Sequence, residues 1–114
     1  MAKNFEELIV WQESRYLAKV IYENFADIKD YNFRNQINSA ALSVMNNIAE
    51  GFERFSKAEF KRFLLIAKAS NAEVRSMIYL AEDFQYLSLE NANEIRALCN
   101  KLKSGIVNLI NSIN

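Results

Sequence analysis

Apolar side chains return every three or four positions along nearly the whole chain, the spacing that gathers them on one side of an α-helix. Four such stretches follow one another. The first is predicted from Phe5 to Phe25, with Leu8, Trp11, Ala18, Tyr22 and Phe25 as its seam and Val10, Leu17 and Ile21 widening the face. The mainly polar run Asp27-Ile28-Lys29-Asp30-Tyr31-Asn32 connects it to the second. That helix is predicted from Asn32 to Phe55, on Ile37, Ala41, Val44, Ile48 and Phe55. Gly51 falls on the same seam. A glycine inside a helix costs ~1 kcal/mol relative to alanine, so its position points to the close approach of a neighbouring helix.

Ser56-Lys57-Ala58-Glu59 has the residues of a capping box, in which Ser56 accepts from the Glu59 backbone and Glu59 reaches back. It opens a long third helix, predicted to end near Tyr86 and built on Phe60, Phe63, Ala67, Ser70, Val74, Met77, Ala81 and Phe84. At ~1.5 Å per residue this helix is roughly 40 Å long. Ser88, followed by Glu90 and Asn91, starts the fourth, whose seam is Ala92, Ile95, Cys99, Leu102, Ile106, Leu109 and Ile113. Short connections place successive helices side by side and antiparallel. The predicted fold is therefore all-α, an antiparallel up-and-down four-helix bundle that forms one domain over residues 1–114. No repeat, low-complexity tract or linker divides it.

Composition supports this picture and narrows the chemistry. Proline is absent and glycine occurs only twice, at Gly51 and Gly105, which leaves little punctuation for strands and hairpins. At 51% hydrophobic the chain has ample material for a core. Lys plus Arg equals Asp plus Glu, 14 against 14, where a dedicated nucleic-acid binder usually carries a basic excess. One cysteine, Cys99, permits no internal disulfide and fits a reducing cytoplasm. The first residues lack the pattern of a signal peptide, and no run of ~18 apolar residues offers a membrane span, so a cytoplasmic location is expected.

Histidine is absent altogether. That excludes Ser-His-Asp and Cys-His nucleophilic sites, histidine acid–base catalysis, the Arg-His pair of helical RNases, common zinc sites and the Glu-x-x-His ligands of di-iron bundles. There is no Gly-rich phosphate loop either. Cys99 lies on the apolar seam of the last helix, where a buried and inert thiol is expected. No catalytic residue, metal ligand or cofactor is predicted.

Three surface features remain. Apolar residues exceed the single stripe that each helix needs: Leu42, Met45 and Phe52 on the second helix, Leu64, Leu65, Ile66, Ile78, Tyr79 and Leu80 on the third, Leu98, Val107 and Ile110 on the fourth. A second stripe implies a second contact, most simply with another copy of the chain, and Leu42, Met45, Phe52, Leu64, Leu65 and Tyr79 are the interface candidates. The alternative is a third helix covered on several sides by its own chain. Next, Lys57, Lys61, Lys68 and Arg75 fall on one side of the third helix and form a basic stripe. It is a candidate nucleic-acid contact, although solvation or pairing with acids of a neighbouring subunit would serve equally. Finally, Gln36, Asn47, Glu50, Arg54, Ser70 and Glu73, with Asn46, are polar within apolar surroundings and are predicted to form a structural network. Glu50 and Arg54 lie one turn apart and are expected to pair. On that reading Arg54→Met would cost about 3–5 kcal/mol. A carboxylate site is the functional alternative, and a third class, a small-molecule enzyme between helices, would show a deep pocket where Arg54, Glu50 and Glu73 converge with unpaired ends.

Leu8-Ile9-Val10-Trp11-Gln12, the pair Gln36-Ile37, the run Ser43-Val44-Met45-Asn46-Asn47-Ile48-Ala49-Glu50-Gly51 with Arg54, and Ser70-Asn71-Ala72-Glu73 together resemble the 23S rRNA intervening-sequence protein family over essentially the whole chain. The resemblance implies an antiparallel four-helix bundle that closes into a ring, commonly a pentamer. Some members of that family are encoded within insertions in large-subunit ribosomal RNA genes. A related branch comprises accessory proteins of diversity-generating retroelements, which work with a reverse transcriptase and nucleic acid. Where many relatives have arginines after the Gln-Ile pair, this chain has Asn38 and Ser39, which removes positive charge. It also has Ala69 where they have glycine. The expected function is a non-enzymatic oligomeric scaffold or adaptor. The alternative is an RNA- or DNA-associated accessory protein that binds weakly through the third-helix stripe.

Overall fold

In the computed structural model, which describes residues 2–114, three of the four helices begin where a side chain satisfies a free backbone N–H of the first turn. Asp30 accepts from the Phe33 nitrogen at 3.1 Å and opens α2, Tyr31–Phe52. Ser56 accepts from the Glu59 nitrogen at 3.1 Å and opens α3, Lys57–Asp83. Ser88 accepts from the Asn91 nitrogen at 3.1 Å and opens α4, Leu89–Ser112. Only half of the predicted capping box forms, because the Glu59 carboxylate turns to Arg62 at 2.7 Å instead.

The helix ends correct the sequence reading in three places. The predicted first helix is broken: a 3-10 turn, Phe5–Glu7, leads through an extended Leu8 into α1, Ile9–Asn24. The Glu7 carboxylate accepts from the backbone nitrogens of Lys3 and Asn4, both at 2.9 Å, which closes the turn on itself. It also leaves Phe5 edge-on against Trp11, with centroids 5.1 Å apart. The second helix stops at Phe52 and leaves Phe55 in the α2–α3 connection, wholly exposed. The chain must reverse there, and the cap at Ser56 needs extended backbone. The third helix stops at Asp83, before the predicted Tyr86. The Tyr86 nitrogen donates to Ala81 O at 2.9 Å and the Gln85 nitrogen to Glu82 O at 3.0 Å, a Schellman termination. Gln85 takes the left-handed conformation (φ 59°) that glycine usually supplies. Tyr86 folds back against Phe33, centroids 5.3 Å apart, and its hydroxyl donates to Asp30 at 2.7 Å. That hydrogen bond holds the Asp30 carboxyl below its ordinary range.

Packing follows chain order. The short connections at 25–30, 53–56 and 84–88 make neighbouring helices antiparallel. α1 lies against α2 and α4, α3 lies against the same two, and among the described residues the backbones of the diagonal pairs stay apart across the core. The result is an all-α up-and-down four-helix bundle of 43 × 22 × 19 Å. Ile21, Ile37, Ile48, Leu64, Ile78 and Ile106 have no exposed surface. Burial stabilises each by about 1.5–3 kcal/mol. Both glycines mark close crossings, as expected for Gly51. A Cβ there would stand 2.6 Å from Phe63 Cβ, and one at Gly105 would stand 2.9 Å from Val10 Cγ1.

Two predicted seams are rotated. On α1 the buried face is Val10, Ser14, Leu17, Ala18 and Ile21, while Tyr22 is exposed. On α3, Leu64 and Ile78, read as off the seam, are fully buried; Phe60, Ser70 and Met77 are half-buried and Phe84 is exposed. α3 packs against both α2 and α4, so its buried arc extends toward α4. Among the described residues, no helix is long and apolar enough to cross a membrane.

Candidate functional site

The polar residues between α2 and α3 form a ladder, but not the whole set named from sequence. Gln36 donates to Glu73 at 2.7 Å. Further along, the Ser43 and Ser70 hydroxyls share a hydrogen bond of 2.8 Å, and Asn47 donates to the Ser43 carbonyl and hydroxyl at 2.8 and 2.9 Å. The Gln36–Glu73 and Ser43–Ser70 bonds fix the register of the two helices, because a slip by one residue would break both, while Asn47 braces Ser43 from within α2. Ser43 was missed as a network member. Its only sequence signal is its place one turn before Asn47.

Glu50 and Arg54 are corrected. Both are exposed, and no ion pair or hydrogen bond joins them. Arg54 instead lies over the Phe63 ring, 4.8 Å from its centroid. The guanidinium covers apolar surface while keeping its charge in water. Glu50 and Arg54 line an open cleft with Phe5, Glu53 and Phe55, and Glu73 is elsewhere, bonded to Gln36. The three therefore do not converge. Asn46 is exposed and outside the ladder. Arg54→Met should change stability by no more than about 1 kcal/mol, the worth of one exposed cation–π contact. Urea unfolding measures this, and a loss of 3 kcal/mol or more would contradict the exposed geometry.

Interface candidates divide by burial. Leu64 is corrected outright, since it lies in the core of its own chain. Met45 and Phe52 are half-buried, Met45 against the core and Phe52 edge-on to Phe60 at 5.8 Å. Leu42 is exposed but stands alone among Asn35, Ser39 and Asn46. Leu65 and Tyr79 remain exposed on the outward side of α3. Ile66 and Leu80 are exposed there too, around Ala69, Ala72 and Ser76. Of the charged side chains in this stretch, Glu73 is engaged by Gln36, while Lys68 and Arg75 border the face and share a cleft with Leu65, Ala69 and Ala72. Tyr79 carries the Arg96 guanidinium 4.5 Å above its ring.

The basic stripe runs along the groove between α3 and α4. Lys57 is exposed at its start, while Lys61, Lys68 and Arg75 are half-buried along it. Asn100 on α4 accepts from Arg75 at 2.9 Å and holds the guanidinium beside the groove. Lys68 and Arg75 line a cleft with Leu65, Ala69, Asn71, Ala72 and Lys103, and no acid lines it. Lys103 was missed, because only the packing of α4 on α3 brings it to the stripe. Asn38 and Ser39 line a different cleft, with Tyr22 and Arg34.

Asn71 is the buried polar side chain of this region, 2% exposed. Its amide donates across to the Cys99 carbonyl at 2.8 Å. Cys99 is free and buried, and burial pushes its thiol up to about 12. Such a thiol is almost never ionised at neutral pH and is a poor nucleophile. Among the described residues no group of three or more His, Cys, Asp or Glu side chains could hold a metal ion.

A solved structure of a protein of unknown function from the S23 ribosomal protein family of Bacteroides thetaiotaomicron superposes on this bundle with a TM-score of 0.84. It is 23% identical, and the alignment covers 90% of this chain and 98% of the other, so the likeness is one of fold. No curated protein matches the chain. The family model described as 23S rRNA-intervening sequence protein matches residues 6–108, nearly the full bundle. The chain belongs to the 23S rRNA-intervening sequence protein family.

Proposed function

We propose that this protein is a non-enzymatic cytoplasmic scaffold or adaptor that works as a closed homo-oligomer, a pentameric ring by the resemblance of its motifs, in which the outward face of α3 docks on a different surface of the next subunit. One observation carries the reading. Leu65, Ile66, Tyr79 and Leu80 are exposed around Ala69, Ala72 and Ser76 on a helix whose opposite side is already buried. A helix in a small bundle needs one apolar stripe, and small residues at the centre of a second let another helix approach closely. Light scattering at micromolar concentration should give a multiple of the 13.2 kDa chain mass. Leu65→Glu with Leu80→Glu should dissolve the ring without loss of helicity, because both side chains already face solvent. A wild-type species of 13.2 kDa alone would contradict the reading.

A second reading, weak association with RNA or DNA, is favoured by the cleft where Lys68, Arg75 and Lys103 meet without an acid. Repeated around a ring, this modest charge would be multiplied. Binding would be independent of sequence and would release counterions, with a log–log salt slope near −0.9 per duplex phosphate neutralised. Titration of labelled RNA and DNA at low and moderate salt checks it. Affinity that persists at high salt would require base contacts and would count against this reading.

A further inference from the structure

The end of the bundle where α2 turns into α3 carries a knob and a hole that are unmatched among the described residues. Phe55 projects wholly into solvent from the connection. There it borders the open cleft of Phe5, Glu50 and Arg54, and at the same end of the bundle a separate cavity of about 590 Å³ opens among Leu8, Phe52, Phe60, Leu109 and Ile113, with Lys57, Ala2 and Asn114 in its lining. These five apolar side chains are each half-buried and come from α2, α3, the end of α4 and the cap of α1, so the hole belongs to the end of the bundle and not to one groove.

We propose that two copies of this chain join end to end about a two-fold axis, each inserting Phe55 into the other's cavity. A two-fold interface uses the same patch on both partners, so the patch must contain both the knob and the hole it fills. Here both lie within residues 52–60 and the helix ends packed around them. The charges match the same operation. Glu53 and Lys57 flank Phe55, both are exposed, and neither is ion-paired among the described residues. When Phe55 crosses the axis, Glu53 of one copy comes against Lys57 of the other. A small molecule in the hole would leave Phe55 in water. A different protein would need its own knob and its own hole, which one surface of this chain already supplies. An aromatic anchor seated in an apolar pocket and ringed by charges is the usual centre of binding energy in an interface.

The pairing goes beyond the α3 reading and uses a different surface, so the two can fail separately. The experiment is the solution mass of four proteins: wild type, Phe55→Glu, the α3 variant Leu65→Glu/Leu80→Glu, and all three substitutions together. The expected wild-type particle is a pair of rings, and Phe55→Glu halves its mass. The α3 variant runs as a dimer of twice the 13.2 kDa chain, and the combined variant as a monomer. Circular dichroism confirms that each is folded, and Phe55 is too exposed for its loss to disturb the core. A charge swap supplies the second arm: Lys57→Glu alone weakens the pairing at least tenfold, and Lys57→Glu with Glu53→Lys restores it. Mass unchanged by Phe55→Glu, or a monomeric α3 variant, overturns the pairing and leaves the α3 ring standing. A wild-type dimer that Phe55→Glu splits upholds the pairing and overturns the ring.

Discussion

Asn71→Asp is expected to destabilise the bundle by about 3–5 kcal/mol at neutral pH, the cost of leaving a buried charge without a partner. Asn71 sits 2% exposed on α3, and its amide donates to the Cys99 carbonyl of α4 at 2.8 Å. A carboxylate there would place an anionic oxygen against a carbonyl oxygen, replacing attraction by repulsion in a site that excludes water. Arg75, one turn on, would offset part of this, but Asn100 holds its guanidinium at the edge of the groove. Burial would hold the new carboxyl above its unfolded value of ~3.9, because the folded state favours the neutral, donating form. Between those two pKa values the folded state binds the extra proton, so stability falls as pH rises through that window and recovers on acidification. Urea unfolding of the variant at pH 4 and pH 7 should therefore differ in that direction, relative to wild type. Asn71→Leu is the control. It removes the donor together with Oδ1, which has no hydrogen-bond partner, and should cost far less. Equal losses for the two variants, or a penalty independent of pH, would mean that the charge is not what matters.

Gly51→Ala should destabilise by up to about 2 kcal/mol, although alanine is the better helix former by ~1 kcal/mol. The added methyl would meet Phe63 Cβ at 2.6 Å, Phe60 Cδ1 at 3.2 Å and the Phe60 carbonyl oxygen at 3.4 Å. A Cβ is fixed to its backbone, so α2 and α3 would have to separate, and overpacking of that kind costs about 1–3 kcal/mol. The ladder from Gln36–Glu73 to Ser43–Ser70 spans the same two helices and would be strained by the separation. Gly105→Ala tests the argument by contrast. Its nearest obstacle, at 2.9 Å, is Val10 Cγ1, the end of a side chain that can shift. Its change should stay within about 1 kcal/mol because the gain in propensity offsets the contact. Thermal unfolding of both variants decides it. A stabilised Gly51→Ala would show that the two helices do not need their close approach.

Element by element, the sequence was most legible where one local rule acted alone. Ser56 and Ser88 start α3 and α4 as read, since a cap depends on residues only three positions apart. Asp30, the cap of α2, lies within the run read as a polar connection, because two aspartates and an asparagine there offer the same local signal. The termination of α3 was illegible for a different reason. Gln85 takes a left-handed conformation that its side chain does not advertise, and what secures it is Tyr86 reaching Phe33 and Asp30 on another helix.

Spacing could say that each helix has an apolar face, but not how far that face extends. Leu64 and Leu65 are adjacent and chemically identical, yet one is in the core and the other is exposed. The direction from which α4 packs decides between them, and no residue within α3 encodes it. The same limit explains Arg54, whose i,i+4 relation to Glu50 permits an ion pair while the Phe63 ring across the turn offers a better seat. It also explains Lys103, which joins Lys68 and Arg75 only through the α3–α4 contact. The sequence by itself determined four helices, their order and antiparallel connection, the close approach at Gly51 and the absence of histidine chemistry, because each follows from composition or from residues near one another in the chain. Only the tertiary structure decided which second-stripe residues face water, which polar groups meet, and that a cavity opens at the end of the bundle that carries Phe55, because each depends on the rotation of one helix against its neighbours and so on many distant contacts at once.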